Sequence, residues 1–345
     1  PPPPPPPPPL FFHADAGTRD FCLSRGLGDV YKRQEGDASP VQMAAFVTAL
    51  KLRGETPDDI AAGASILRRR AVTITAPDGA MDVVGTGGDG IGTWNISSAT
   101  AFVLAGAGIP MAKHGNKAVS SRSGAADVLS QVGINLDAPM PQVQRALDEA
   151  NICFLMAPRH HSAMRHVGPI RAELGYRTIF NLLGPLSNPA LVQRIMVGVF
   201  AREWIMPFAE ALHSLGTTHA IIVHGEDGLD EVTTTGETHA AVLKDGAITT
   251  MTISPEDAGV RIADPKDLIG GTPEDNAKAL LALLDGAEGA YRDIVILNAG
   301  AALFGGGHAA SIAEGADMAR QSIDDGNARA ALDGLVRITN EEPAS

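Results

Sequence analysis

From Glu35 onward, apolar positions fall either at helical spacing or in short unbroken runs, and the two patterns alternate. Two amphipathic stretches come first. Ser39-Pro40-Val41-Gln42 carries a capping box with proline at the first helical position, and the helix after it is expected to turn Val41, Ala44, Ala45 and Thr48 to one face. Thr56-Pro57-Asp58-Asp59 repeats the start signal, with Ile60, Ala64 and Leu67 on one face and Arg68-Arg69-Arg70 complementing the dipole at the C-terminal end. Short apolar runs then predict strands at Met81 to Val84, Ile109 to Ala112, Ile152 to Met156, Ile195 to Phe200 and Ala220 to Val223. Helical sequence lies between them at Ala99 to Val103, Ala125 to Val132, Arg159 to Leu174 and Glu203 to Leu215. Asp245-Gly246 joins a hairpin of Ala240 to Leu243 and Ile248 to Ile253. From Thr272 the chain reads as mainly helical, including Ala277 to Leu284 and Ile312 to Gln321. Strands separated by helices predict an α/β protein with a mostly parallel central sheet covered on both faces, preceded by a small helical domain.

Residues 1–34 stand outside this pattern. Nine prolines open the segment, and the residues after them show neither a helical nor a strand period. CLSRGLGDVYKRQ resembles translated sequencing-adapter read-through, so this segment is expected to be a non-native stretch replacing the true N-terminus.

Composition narrows the function. With 27 Lys and Arg against 40 Asp and Glu, the net charge of −13 argues against a general nucleic-acid surface. Cys22 and Cys153 lack metal-ligand spacing and form no disulfide framework, which points to a reducing, cytoplasmic setting. No apolar run approaches the roughly 18 residues of a membrane span.

Two stretches carry candidate chemistry. Met81 to Ser98, MDVVGTGGDGIGTWNISS, runs from strand through a glycine-crowded turn into a helix opened by Asn95 or Ser97. Such a turn brings backbone N–H groups and a helix N-terminus to one place, forming an anion cradle. It is neither a P-loop nor a dinucleotide fingerprint. Asp89 within it would bind a sugar diol or a hydrated metal. The second stretch, Lys113 to Gly124, comes after the Ile109 strand with three cations and three serines. Loops at the carboxyl ends of neighbouring parallel strands share an edge, so both stretches should face one crevice.

GTGGD at 85–89, NISS at 95–98, KHGNKAVSS at 113–121 with SGAAD at 123–127, RAELGYRTIFNLLGPLSNP at 171–189 and the Asp230-Glu231 pair resemble, in order and in register, the anthranilate phosphoribosyltransferase family of tryptophan biosynthesis. The resemblance covers the chain from about Glu35 to its end. It implies a helical domain at 35–72, completed by about 159–186, and an α/β domain at 73–158 and 187–340, usually in a homodimer. The implied reaction moves the phosphoribosyl group of 5-phosphoribosyl 1-diphosphate onto the amine of anthranilate with the help of two magnesium ions.

By motif, the resemblance implies that Gly85, Gly88, Asp89, Thr93, Asn95, Ile96, Ser97, Ser98 and Lys113 hold the diphosphate, ribose and 5-phosphate. His114, Gly115, Asn116, Lys117, Ala118, Val119, Ser120, Ser121 and Ala125 complete that surface. Gly85, Asn116 and Arg171 receive anthranilate, while Ser97, Asp230 and Glu231 bind magnesium. His114 is expected to hold the loop rather than transfer a proton, and His160, His161 and His166 to lie on a helix surface. Lys117 stands where arginine is common in the family, and Ala125 where serine can occur. Two other readings share the architecture: a pyrimidine nucleoside phosphorylase, and a catalytically silent paralogue that binds nucleic acid.

Overall fold

A computed structural model describes residues 39–117, 123–162 and 164–342. Two helices lead. α1 (Pro40–Arg53) and α2 (Pro57–Arg70) both start with reciprocal capping boxes and proline at the first position, as their sequences predict. The expected face of α1 is wrong, however. Val41 is 76% exposed, and Val47 and Leu50 are the residues that pack inward. Arg68 does more than complement a dipole, since its Nε donates to the Leu186 carbonyl at 2.7 Å, and burial lowers its pKa to about 10.

Seven described strands form one sheet: β1 (Met81–Gly85), β2 (Met111–Gly115), β3 (Ile152–Met156), β4 (Arg194–Gly198), β5 (His219–Gly225), β6 (Thr238–Lys244) and β7 (Ala247–Ile253). Their order is β3-β2-β1-β4-β5-β6-β7. The first five are parallel, and β6 and β7 join antiparallel. The β6–β7 turn places Asp245 and Gly246 both at positive φ, the geometry that favours an Asp-Gly pair.

Side chains alternate between two cores along the middle strands. Ile195 and Val197 of β4, with Ala220 and Ile222 of β5, face one apolar cluster; Met196, Ile221 and Val223 face the other. The first cluster receives α1, α2 and α9 (Ile205–Ser214). The second receives α3 (Ile96–Gly106) and the C-terminal helices α10 (Pro273–Leu284), α11 (Ala290–Gly305), α12 (Ile312–Asp324) and α13 (Asn327–Asn340). Burial on both faces explains why these strands read as nearly continuous apolar runs.

Some boundaries differ from expectation. The strand assigned to Ile109 to Ala112 is β2, which begins at Met111 and carries Lys113 and His114 within it. The helical stretch Arg159 to Leu174 divides into Ala157–His160 and Met164–Leu174, and the helix expected from Glu203 opens with a 3-10 turn at Arg202–Trp204. The strand expected to reach Phe200 ends at Gly198. Between Ala125–Gln131 and β3 lies a further helix, Met140–Ala150, beyond the elements expected above; Val143, Ala146 and Leu147 recur at helical spacing and form its buried face.

Candidate active site

The glycine turn leaves β1 beside the end of β4, where Gly85 pairs with Gly198. The Thr86 N–H donates to the Gly198 carbonyl at 2.9 Å. Gly87, Gly88, Gly90 and Gly92 all take positive φ, so the density of glycine is a backbone requirement. The turn is then strapped down again. Thr93 bridges to Ile269, and the Trp94 N–H donates to the Leu268 carbonyl at 3.1 Å.

Asn95 does occupy the N-cap of α3, but its side chain does not cap the helix. It accepts from Asn276 at 2.8 Å, while its carbonyl takes the Tyr291 hydroxyl at 3.2 Å. Ile96 and Ser98 are buried, and Ser97 is half-buried. A carboxylate meets the first turn instead: the Ser97 N–H donates to Glu231 Oε1 at 3.1 Å. Its neighbour acts alike, since Asp230 Oδ2 accepts the Gly87 N–H at 2.6 Å. Thus the acidic pair lies against donors of both the glycine turn and the α3 N-terminus.

Asp230 and Glu231 are only 8% and 7% exposed, and among the described residues neither forms a salt bridge. Burial raises both carboxyl groups well above their ordinary range. The Asp89 charge pushes Asp230 further, and Asp230 pushes Glu231; the Gly87 amide pulls Asp230 back, and the Lys113 charge and the Ser97 amide pull Glu231 back. Lys113 and Arg177 act on the pair from a distance, yet neither forms a salt bridge with it, and a divalent metal would neutralise both carboxylates directly. Among the described residues no group of three or more acidic, histidine or cysteine side chains could hold a metal alone. Magnesium takes a few carboxylates and completes its shell with water and substrate oxygens, a demand that the adjacent Asp230 and Glu231 can meet.

Lys113 and His114 require a correction in position. Both are 4% exposed inside β2, not side chains of an open loop. Lys113 Nζ donates to the Val83 carbonyl of β1 at 2.7 Å. Burial lowers its pKa, while the charges of Asp82 and Glu231 pull it upward. Asp82, buried in β1, accepts from the His114 N–H at 3.2 Å and from Asn188 Nδ2 at 2.7 Å. Burial pushes Asp82 up to about 6, against the pull of Lys113. The ammonium therefore sits beneath the acidic pair as part of a buried charge balance.

His114 Nε2 has no hydrogen-bond partner among the described residues, and its ring meets His161 edge-on at 5.3 Å. Burial drives its pKa well below the usual imidazole value, so the ring is neutral near pH 7. His160 and His161 are likewise buried, contrary to the expected helix surface; His160 Nδ1 contacts the Val72 carbonyl at 2.5 Å. His166 is exposed as expected.

At the end of β2, Gly115 packs close to Phe154 and Ala125, and beyond it Asn116 and Lys117 are exposed. Asn116 Oδ1 accepts the Lys117 N–H at 2.8 Å. Ala118, Val119, Ser120 and Ser121 lie outside the described residues. Arg171 is half-buried in the last turn of the helix Met164–Leu174.

Two residues to which the sequence motifs give no role belong to this geometry. A β-carbon on Gly198 would fall 1.6 Å from the Asp230 carbonyl, so this close approach requires glycine. Arg177 donates from Nη2 to the Gly88 carbonyl. Gly198 carries no local sequence signal, whereas Arg177 stands inside the 171–189 motif.

A glycine turn, a helix N-terminus and a buried acidic couple meet at the carboxyl ends of parallel strands, an arrangement of the kind that binds a phosphorylated ligand with a cation. Residues 77–329 match the Glycosyl transferase family, a/b domain, and residues 34–71 match the helical bundle domain of the same family. The chain is 55% identical over 305 residues to the anthranilate phosphoribosyltransferase of Parvibaculum lavamentivorans, covering 88% of this chain and 89% of that one. Among solved structures, that of the Thermus thermophilus anthranilate phosphoribosyltransferase superposes with a TM-score of 0.86 at 41% identity, covering 93% and 99% of the two chains. The Saccharomyces cerevisiae enzyme, solved in complex with PRPP and Mg, gives a TM-score of 0.84 at 28% identity, covering 93% of each chain. The same yeast protein has been solved with 4-fluoroanthranilate (TM-score 0.83, 26% identity, covering 93% and 92%). This chain belongs to the anthranilate phosphoribosyltransferase family.

Proposed function

We infer that this chain transfers the 5-phosphoribosyl group of 5-phosphoribosyl 1-diphosphate to the amine of anthranilate, giving N-(5-phosphoribosyl)anthranilate and diphosphate in tryptophan biosynthesis. The observation that carries the reading is the convergence of Asp230 and Glu231 on the Gly87 and Ser97 amides. These two contacts bring a buried pair suited to a counter-ion against the turn and helix end that hold the polyanion in this reading.

In this reading Gly85, Gly88, Asp89, Thr93 and Asn95 to Ser98 hold the diphosphate, ribose and 5-phosphate. Lys113 contributes charge from beneath. Gly85, Asn116 and Arg171 receive anthranilate, with Arg171 facing its carboxylate. Asp230, Glu231 and Ser97 hold two magnesium ions, which when bound neutralise charge on the leaving diphosphate. Breaking the bond between ribose C1 and oxygen builds positive charge on the ring and negative charge on diphosphate. Fixed backbone donors at the turn and at α3 stabilise the latter without a nucleophilic side chain. The arylamine is already largely neutral near pH 7, so a neutral His114 need not remove a proton before attack.

The enzyme works as a cytoplasmic homodimer in this reading, and exposed Val41 and Leu52 of α1 offer apolar surface for the contact. Among the described residues no helix is long and apolar enough to cross a membrane. In this reading the helical unit at 35–72 is completed by about 159–186, with α1 and α2 packing with Ile179 to Leu186 in a core that continues onto β4 and β5 of the α/β unit.

The deciding experiment mixes the protein with anthranilate, 5-phosphoribosyl 1-diphosphate and magnesium and tracks anthranilate fluorescence. Loss that depends on both the diphosphate and the metal is the expected result. No loss in folded protein overturns the assignment.

A further inference from the structure

Arg177 has no role in the proposed function, yet it touches the glycine turn at its centre. Its guanidinium lies over the Phe200 ring, with Cζ 3.7 Å from the ring centroid, and Nη2 donates to the Gly88 carbonyl. Phe200 is held in turn from the other side of the turn, because its N–H donates to Thr86 Oγ1 at 3.0 Å. Thr86 and Gly88 flank Gly87, whose amide faces Asp230. A β-carbon on Gly88 would lie 3.0 Å from Arg177 Nη2, so the approach is tight. One residue earlier, the Tyr176 hydroxyl contacts Thr48 Oγ1 of α1. Residues 176 and 177 thus link the first helix to the glycine turn.

The peptide plane gives this contact a consequence. In a trans peptide the carbonyl of Gly88 and the N–H of Asp89 point in opposite directions. Anchoring the carbonyl on the guanidinium therefore aims the Asp89 N–H away from Arg177 and keeps a carbonyl dipole from turning into an anion site. The Arg177 charge also acts on Asp230, drawing its carboxyl back down. Lysine cannot reproduce the arrangement, since stacking on Phe200 needs the flat guanidinium.

We propose that Arg177, seated on Phe200, is a positioning residue that sets the orientation of the glycine turn for the diphosphate part of the substrate. This rests on the proposed function for the identity of the ligand. The experiment therefore reads binding separately from turnover. Calorimetric titration with inorganic diphosphate and magnesium is run on the wild-type chain and on Arg177→Ala, Arg177→Lys and Phe200→Leu, alongside steady-state kinetics for both substrates.

Arg177→Ala is expected to weaken diphosphate binding and to raise KM for 5-phosphoribosyl 1-diphosphate by about tenfold or more. KM for anthranilate should change by no more than about threefold, while kcat at saturation falls too, because the turn's donors also meet the charge that builds on the leaving diphosphate. Lysine restores only part of the loss, and Phe200→Leu shifts the same constants in the same direction. Unchanged diphosphate affinity in folded Arg177→Ala, or full rescue by lysine, overturns the proposal. So does an equal rise in both KM values. A wild-type chain that binds diphosphate but leaves anthranilate unconsumed defeats the functional reading alone, and the titration still decides the role of Arg177.

Discussion

A β-carbon placed on Gly198 would sit 1.6 Å from the carbonyl oxygen of Asp230, closer than any non-bonded contact allows. The end of β4 and the acidic pair are therefore fitted to each other through the absence of one side chain. Gly198→Ala must push the Asp230 backbone away. A displacement of about 1 Å costs on the order of a hundredfold in turnover. Initial rates and a melting curve check this; near-wild-type rates would mean that the acidic pair tolerates movement.

The same pair yields a pH prediction. Burial raises both carboxyl groups from ordinary values of 3.8 and 4.5. The folded, metal-free chain thus keeps protons that the unfolded chain has lost. Their contribution to stability is complete below the unfolded values and disappears as pH rises through the raised folded ones. Asp230→Asn combined with Glu231→Gln should remove most turnover, yet flatten that decline, so that above neutral pH the variant melts at or above the wild type. Magnesium acts in the opposite sense. It binds the deprotonated pair, so its stabilising effect grows over the same pH rise and is absent from the variant. A thermal-shift series across neutral pH, with and without the metal, tests both halves.

Arg171→Ala is expected to raise KM for anthranilate chiefly, because a guanidinium meets a carboxylate through two parallel hydrogen bonds. Steady-state kinetics against each substrate check this. An equal loss toward 5-phosphoribosyl 1-diphosphate would contradict it.

Asn188 supports the site from below, donating to both Asp82 and the Ala112 carbonyl at 2.7 Å. Asn188→Ala leaves a buried carboxylate and a buried carbonyl short of a donor, at a cost of about 2–4 kcal/mol. Chemical denaturation should show it as a lower midpoint with an unchanged slope.

Much of the site was legible because its residues are local. Gly87 to Gly92 need positive φ, and only glycine meets that need cheaply, so the turn announces itself. Alternating apolar runs likewise mark the sheet. What escaped depends on distant partners. Lys113 and His114 read as loop residues because polar side chains rarely enter a buried strand. Asp82 of β1 accepts the His114 amide and offsets the Lys113 charge. His160 and His161 obey the same logic, looking like surface residues until Val72 and His114 come up against them. Gly198 is one glycine among 38, and only its packing against residue 230 gives it meaning.

The straps at both ends of the glycine turn bear on what ligand binding costs. On one side Thr86 is tied to Gly198; on the other Thr93 and Trp94 are tied to Ile269 and Leu268. Ordering a residue's backbone costs about 1–2 kcal/mol, and here that cost applies only to the short arc between the ties. An incoming polyanion thus meets a tethered arc whose freedom has largely been surrendered during folding. More of the attraction between anion and amides remains as affinity.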